Sequence, residues 1–140
     1  MPSAARSGVR RPSNAYARVD NAVFKVLKRN LPGPFTFVLN ASGKVPDKFL
    51  EKRKTVGVRI PDHAVALAIV EALGHPLVTA SVKDSEEEYT TDPSLIEERY
   101  GSAVEAVIDG GYGLCVPTTV VDCTDESDIV VLREGIGELV

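Results

Sequence analysis

The chain has 140 residues, of which 44% are hydrophobic and 26% charged, and its formal net charge is −4. These values are typical of one ordinary globular domain that can bury a core. No apolar run approaches the roughly 18 residues that a membrane helix needs. Arg6, Arg10 and Arg11 precede no apolar segment, which excludes a secretory signal. We therefore predict a cytoplasmic protein with no membrane partner.

The charge is divided unevenly along the chain. Residues 1–60 contain 13 of the 16 Lys and Arg and three acidic residues, a net charge of +10. Residues 61–140 contain 3 basic and 17 acidic residues, a net charge of −14. We expect the first half to present a basic face to an anion, such as nucleotide phosphate or an RNA backbone. An equal alternative is that the two halves pair with each other across the fold.

The first predicted elements follow a basic start. Residues 1–12 are small and polar without periodicity, and we predict a disordered leader there. Asp20 is a good N-cap for a helix over residues 21–30. Pro32-Gly33-Pro34 would end that helix, because proline lacks an N–H and restricts the residue before it. Three further elements are predicted before residue 61: a strand at 35–39, a short helix at 46–53 and a strand at 55–60.

The second half continues the alternation of helices and strands. A helix is predicted from His63 to Leu73, capped by Asp62 and ended by Gly74. Asp92-Pro93 would start another helix that runs to about Tyr100. Short strands are predicted at residues 77–80, 106–108, 118–121 and 129–132. This order predicts an α/β (α+β) fold, with helices packed against a sheet.

Arg59 is the strongest candidate for a functional charge in the middle of the chain. It lies at the end of a predicted strand, beside Pro61, where the chain turns into a helix. Strand ends that face a helix start often gather anionic ligands in α/β sheets. A guanidinium there can bind a carboxylate or phosphate through two parallel hydrogen bonds. The alternative is a surface arginine that pairs with Glu71 or another acid.

Thr118 and Thr119 open another predicted strand after Pro117. Hydroxyls and unpaired backbone N–H groups at such a point can bind phosphate oxygens. The alternative is that threonine is there because it suits a strand. Cys115 and Cys123 lack metal-type spacing and are predicted to be reduced thiols rather than a disulfide. His63 and His75 have no partner histidine at ligand spacing, so no metal site is predicted.

Three motifs in this order resemble the YrdC-like family: PGPFTFVL at residues 32–39, TVGVRIPDH at 55–63, and PTTVVD at 117–122 with Arg133-Glu134-Gly135. Enzymes of that family join threonine, bicarbonate and ATP into threonylcarbamoyl-adenylate for the t6A modification of tRNA. The resemblance covers residues 13–140 and implies a YrdC-like twisted mixed sheet flanked by helices.

The resemblance also implies a set of substrate-binding and nucleotide-binding residues. It implies ATP as a substrate accompanied by Mg²⁺, with L-threonine and bicarbonate as the other partners. The protein would mainly position these substrates, and no side chain would act as a covalent nucleophile. The residues implied by the match are Thr36, Arg59, Ser81, Thr118, Thr119 and Arg133.

Two departures from the family pattern affect this interpretation. Where typical members have asparagine and glycine after the conserved serine, this chain has Lys83 and Glu86, a pattern closer to the YciO branch. The family's opening Pro-Thr-Asp strand and Lys-x-Arg motif have no match before Ser13. We therefore expect residues 13–140 to be an N-terminally truncated, partial domain with an exposed sheet edge.

Two functions of different class follow from the sequence. The first is a threonylcarbamoyl-AMP synthase-like enzyme, a nucleotidyltransferase. The alternative is a non-catalytic module that binds nucleotide or double-stranded RNA through its basic half. A third possibility is an inactive remnant of the domain.

Overall fold

The computed structural model describes residues 16–50 and 52–140, so the predicted leader at residues 1–12 lies outside the described residues. The described chain forms two compact units. One, here called the sheet unit, comprises the described residues up to Pro76 together with Thr118–Val140. The other, here called the helical unit, is Leu77–Pro117.

The sheet unit contains a five-stranded mixed sheet with β2 at its centre. β2 pairs antiparallel with β1 and β3 and parallel with β4, which pairs antiparallel with β5. The starts of β2 and β4 therefore lie at the same end of the sheet as the ends of β3 and β5. The strand bounds are β1 (Ala17–Arg18), β2 (Phe35–Ala41), β3 (Thr55–Val58), β4 (Thr119–Asp122) and β5 (Val130–Arg133).

Helix α1 (Asn21–Asn30) has the predicted bounds and covers one face of the sheet. It begins as predicted, because the Asp20 carboxylate accepts a hydrogen bond of 2.8 Å from the Val23 N–H. Val23 and Leu27 are buried in the same cluster as Phe37 of β2. Full burial of side chains of this size contributes about 1.5–3 kcal/mol each, so this packing is the main stabilising feature of the sheet unit.

The turn between α1 and β2 requires glycine at its centre. A Cβ atom at Gly33 would lie 2.5 Å from the Asn30 carbonyl oxygen, which is closer than real contacts allow. The Gly33 N–H donates to the Ile60 carbonyl at 2.9 Å and so joins this turn to the segment after β3. Pro32-Gly33-Pro34 thus ends α1 as predicted and also fixes where β2 begins.

Helix α2 (Ala64–Leu73) ends as predicted but begins differently. Gly74 follows it with a φ of +80°, a left-handed conformation that favours glycine. The predicted cap at Asp62 is wrong: His63 is the N-cap residue, and its side chain makes no capping hydrogen bond. No residue of α2 is buried, although Leu67 packs against the core.

The predicted helix over residues 46–53 is also wrong in extent. In the described residues of that segment only a 3₁₀ turn, Asp47–Phe49, forms, and Pro46 is its N-cap residue. A short helix has few hydrogen bonds to offset the cost of nucleation, which is why local propensity overestimated it. The two-residue strand β1 was not predicted, and β3 ends at Val58 rather than Ile60.

The helical unit contains α3 (Glu88–Thr91) and α4 (Pro93–Tyr100). The predicted start of α4 is confirmed, since the Asp92 carboxylate accepts from the Ser94 N–H at 2.9 Å. The strands predicted at 77–80 and 106–108 are wrong, because both segments are irregular and neither contains a buried residue. A short apolar run becomes a strand only when a partner strand lies beside it, and no strand is described in this unit. Among the described residues, no helix is both long and apolar enough to cross a membrane.

Candidate functional site

Five of the six predicted site residues lie at one end of the sheet, where β2 and β4 begin and β3 and β5 end. Local sequence order does not bring them together; the pairing of four strands does. Strand ends that converge in this way can present several side chains to one ligand. The five residues are Thr36, Arg59, Thr118, Thr119 and Arg133.

Three of these residues form a row across one face of the sheet. Thr36 pairs with Val120, and Val120 pairs with Arg133. Continuing the β2–β3 register by one residue places Arg59 opposite Thr36. Residues directly opposite each other share a face, so both arginines and Thr36 lie on the face opposite the α1 core. Three strand spacings of about 4.8 Å separate the Cα atoms of the two arginines by roughly 14 Å.

A hydrogen-bonded group of hydroxyls lies beside Arg133. The Thr36 and Thr118 Oγ1 atoms are 2.8 Å apart and share one hydrogen bond. Arg133 donates to the Thr118 carbonyl from Nη2 at 2.8 Å and from Nε at 3.2 Å. Among the described residues, its remaining amino group, Nη1, has no hydrogen-bond partner. Arg133 therefore holds the start of β4 and still has a donor for an anion.

A β-bulge determines which way Arg133 points. Val121 pairs with Val131, but Val120 pairs with Arg133, so Leu132 is one extra residue in β5. Without this extra residue Arg133 would lie opposite Thr119, on the core face of the sheet. Bulges commonly redirect a side chain next to a functional site. This one brings Arg133 to the same face as Thr36.

Thr119 differs from its neighbour Thr118 because its hydroxyl is used inside the protein. Its side chain is on the core face, and the residue is 2% exposed. The hydroxyl donates to the Gly137 carbonyl at 2.6 Å and accepts from the Gly135 N–H at 3.1 Å. This geometry fits a role in fixing the segment after β5. A direct contact between this hydroxyl and a ligand would have to replace one of those bonds.

Arg59 follows the last residue of β3 and is exposed. The alternative predicted for it was an ion pair with an acidic residue. In the described part of the chain, Arg59 forms no such pair. Its guanidinium is thus available to an anionic ligand at this end of the sheet.

Ser81, the sixth predicted residue, lies in the helical unit. The segment that contains it is attached to α4 through hydrogen bonds of Asp84. Asp84 accepts from Arg99 Nη1 at 2.6 Å and from the Tyr100 hydroxyl at 2.5 Å. The Arg99 guanidinium, followed by the Tyr100 hydroxyl, holds the pKa of Asp84 well below its usual range. The same contact raises the pKa of Tyr100, because the phenol donates to a carboxylate. We call this group, which also includes Glu86 bonded to Arg99 at 3.3 Å, the Asp84 network.

Gly57 is a residue of this end of the sheet that the sequence interpretation missed. It pairs with Val38 and lies on the same face as Thr36. A Cβ atom there would lie 3.3 Å from the Thr36 methyl group, so a larger residue would project over the row. The sequence did contain a signal for it, because a glycine inside a strand of β-branched residues often marks the close approach of another group.

A cavity of about 470 Å³ lies on the other face of the sheet, beside Thr119 and Val131. Its lining includes Glu134 and Glu138 and the main chain of Gly135 and Gly137. Two carboxylates would repel an anion, whereas the two arginines of the row would attract one. Among the described residues, no group of three or more His, Cys, Asp or Glu could hold a metal ion.

Comparisons with known proteins give these motifs a context. Residues 6–135 match the Sua5/YciO/YrdC family, whose description is telomere recombination. The uncharacterized protein YciO of Escherichia coli strain K12 is 43% identical over 128 residues, which are 90% of this chain and 62% of that protein. Threonylcarbamoyl-AMP synthase of Pyrococcus abyssi is 37% identical over 109 residues, which are 77% of this chain and 32% of the synthase.

Solved structures agree with these sequence matches. The crystal structure of E. coli YciO has a TM-score of 0.80 at 44% identity, covering 88% of this chain and 60% of that chain. P. abyssi Sua5 complexed with L-threonine has a TM-score of 0.76 at 32% identity, covering 87% of this chain and 36% of that chain. The chain spans less than two thirds of the length of these curated relatives: 62% of E. coli YciO and 61% of a Haemophilus influenzae protein.

Proposed function

The chain belongs to the Sua5/YciO/YrdC family, and from this premise we propose that it acts as a threonylcarbamoyl-AMP synthase-like protein. It would form L-threonylcarbamoyladenylate from L-threonine, bicarbonate and ATP. The observation that carries the proposal is the row of Arg59, Thr36 and Arg133 at one end of the sheet. The P. abyssi synthase among the relatives supports the choice of reaction.

The two arginines would bind the phosphates of ATP. Arg59 can donate two parallel hydrogen bonds to phosphate oxygens, Arg133 can donate from Nη1, and such charge-assisted bonds are about twice as strong as neutral ones. Arg133 is already held by Thr118, so little side-chain freedom would be lost when its Nη1 group binds a ligand. Fixed donors of this kind stabilise negative charge as it develops on the leaving pyrophosphate.

The reaction needs positioning more than a reactive side chain. The threonine amine attacks the carbon of bicarbonate, and loss of water leaves a carbamate. A carbamate oxygen then attacks the α-phosphorus of ATP, and the bond from that phosphorus to the pyrophosphate oxygen breaks. Holding the reactants in line can supply much of the rate enhancement. Mg²⁺ would enter bound to ATP, with phosphate oxygens and water among its ligands.

The first test measures ATP binding by calorimetry in variants of the row. Arg59→Ala and Arg133→Ala should each weaken ATP binding about tenfold or more, since a hydrogen bond to a charged group contributes about 1.5–3 kcal/mol. Lys28→Ala, an exposed cation on α1, should leave the affinity unchanged. Arg133→Lys keeps the charge but not the paired hydrogen bonds to Thr118, so it should fall between wild type and Arg133→Ala.

The second test measures the reaction itself. Pyrophosphate release should require L-threonine, and mass spectrometry should detect threonylcarbamoyl-adenylate as the product. ATP affinity that is unchanged in both alanine variants would overturn the assignment of the row. ATP binding without threonine-dependent pyrophosphate release would reject the enzyme and leave a nucleotide-binding module.

The uneven charge favours one further candidate function. With a net charge of +10 in residues 1–60, the chain could bind double-stranded RNA without catalysis. A filter-binding assay over a salt series tests this alternative. Affinity that falls steeply with salt, with no pyrophosphate release in the presence of ATP and threonine, would support it over the enzyme.

A further inference from the structure

A second cavity of the sheet unit lies at the opposite end of the sheet from the arginine row. It occupies about 180 Å³ where β2 ends and β3 begins. Arg18 of β1 pairs with Asn40 near this end, and Lys54 immediately precedes β3. The polar residues of its lining are Arg18, Ser42, Asp47 and Lys54, and the rest of the lining is glycine or apolar.

Lys54 has an unusual backbone conformation at the rim of this cavity. Its φ is +54°, in the left-handed region that residues other than glycine and asparagine seldom adopt. The conformation is fixed, because the Lys54 carbonyl accepts from the Ala41 N–H at 2.9 Å. Glycine would suit this backbone better, so the lysine is retained at a cost in stability. Such strained positions often belong to functional sites.

Among the residues that the structure describes, the two cations of the cavity are not neutralised by an ion pair. In the described part of the chain, neither Arg18 nor Lys54 forms an ion pair, with Asp47 or with any other acid. Three further exposed cations, Lys44, Lys52 and Arg53, are close in sequence to the lining residues Gly43 and Lys54. Two unpaired cations facing one small space favour the binding of an anion.

We propose that this cavity binds a phosphate group, and that it is separate from the site of the proposed reaction. Cavities that enclose a whole drug-sized ligand measure about 300–1,000 Å³, so this one accommodates a single phosphate rather than a nucleoside. The phosphate belongs either to a small anion or to an RNA backbone that also contacts the surrounding lysines. The inference does not depend on the proposed function, since it uses none of the residues of the arginine row.

The test titrates the whole chain with inorganic pyrophosphate, followed by NMR and calorimetry. Arg18→Ala and Lys54→Gly should each weaken binding about tenfold, as expected for loss of one charge-assisted contact. Lys54→Gly should also raise the melting temperature by a few degrees, because glycine adopts the left-handed conformation without strain. If Lys54→Gly makes the protein more stable but weakens binding, the lysine contributes to ligand binding rather than to the fold.

Three further variants sharpen the test. Asp47→Asn removes the one carboxylate of the lining and should tighten pyrophosphate binding several-fold. Lys28→Ala lies outside the cavity lining and should change nothing. Arg59→Ala should weaken ATP binding at the other end of the sheet, but the NMR shifts that pyrophosphate causes at Arg18 and Lys54 should stay unchanged. This difference distinguishes failure of the present inference from failure of the proposed reaction.

A 12-nucleotide RNA identifies the source of the phosphate. RNA that binds more tightly than pyrophosphate, weakens steeply with salt and requires Arg18 and Lys54 would assign the site to a nucleic acid backbone. RNA that binds no better than pyrophosphate would assign it to a small anion. The inference is overturned if binding of pyrophosphate and RNA is undetectable, or is unaffected by Arg18→Ala and Lys54→Gly.

Discussion

The sheet unit and the helical unit are each stabilised internally by a different kind of interaction. All buried residues in the described chain lie in the sheet unit, and none lies in Leu77–Pro117. The helical unit instead has the Asp84 network, in which Arg99 also stacks 3.4 Å from the centre of the Tyr89 ring. Apolar burial involves no titrating group, whereas ionic hydrogen bonds depend on pH and are screened by salt. The two units should therefore respond differently to mutation, to reagents and to acid.

The largest expected difference is in the response to loss of an apolar side chain. Phe37→Ala should lower the free energy of unfolding by about 3–5 kcal/mol, because this fully buried ring leaves a cavity in the core. Ile108→Ala, at a residue that is 62% exposed in the helical unit, should change it by less than about 0.5 kcal/mol. Urea denaturation of both variants measures the two values. Equal losses would show that the units share one core.

The two cysteines offer a second comparison, since each unit contains one free thiol. Burial raises the pKa of the Cys123 thiol to about 11 in the sheet unit. In the helical unit, Cys115 donates to the Glu87 carboxylate, which raises the pKa of this exposed thiol. At pH 8 we expect a disulfide reagent to modify Cys115 at least about tenfold faster, because access to Cys123 requires opening of the core.

Each cysteine variant provides the control for the other. Cys115→Ser should remove the fast phase of thiol modification, and Cys123→Ser should leave that phase unchanged. Fast modification of Cys123 in the folded protein would contradict the contrast between a packed sheet unit and an open helical unit.

The smallest expected effect is a local loss of order in acid. The pKa of Asp84 is lowered in the folded protein, so its contribution to stability is present above the unfolded value of about 3.9 and is lost as pH falls below it. Between about pH 5 and pH 2, amide NMR signals from residues 84–100 should lose their folded positions before those of β2. Asp84→Asn should remove this difference, because an amide does not titrate in that range. Simultaneous loss of both sets of signals in wild type would contradict the prediction.

Local signals predicted the helix starts at Asp20 and Asp92, but they did not distinguish which apolar runs become strands. Asp20 and the Pro32-Gly33-Pro34 turn give α1 its bounds, and Asp92 caps α4 as expected. The segments at 77–80 and 106–108 are apolar runs like those of the strands, but they form no strand. A helix satisfies its backbone within one segment, whereas a strand depends on a distant partner that local sequence does not specify.

The sequence by itself determined the family and the mixed α/β fold, which the YciO and Sua5 structures confirm. It also identified Arg59 and Arg133 as candidate ligands of an anion. Only the tertiary structure decided that Thr118 faces the arginine row while Thr119 faces the core, since alternate residues of a strand point to opposite faces. The extra residue at Leu132, which reorients Arg133, likewise exists only in the pairing of β4 with β5. Register is a property of two strands together, so neither strand's sequence contains it alone.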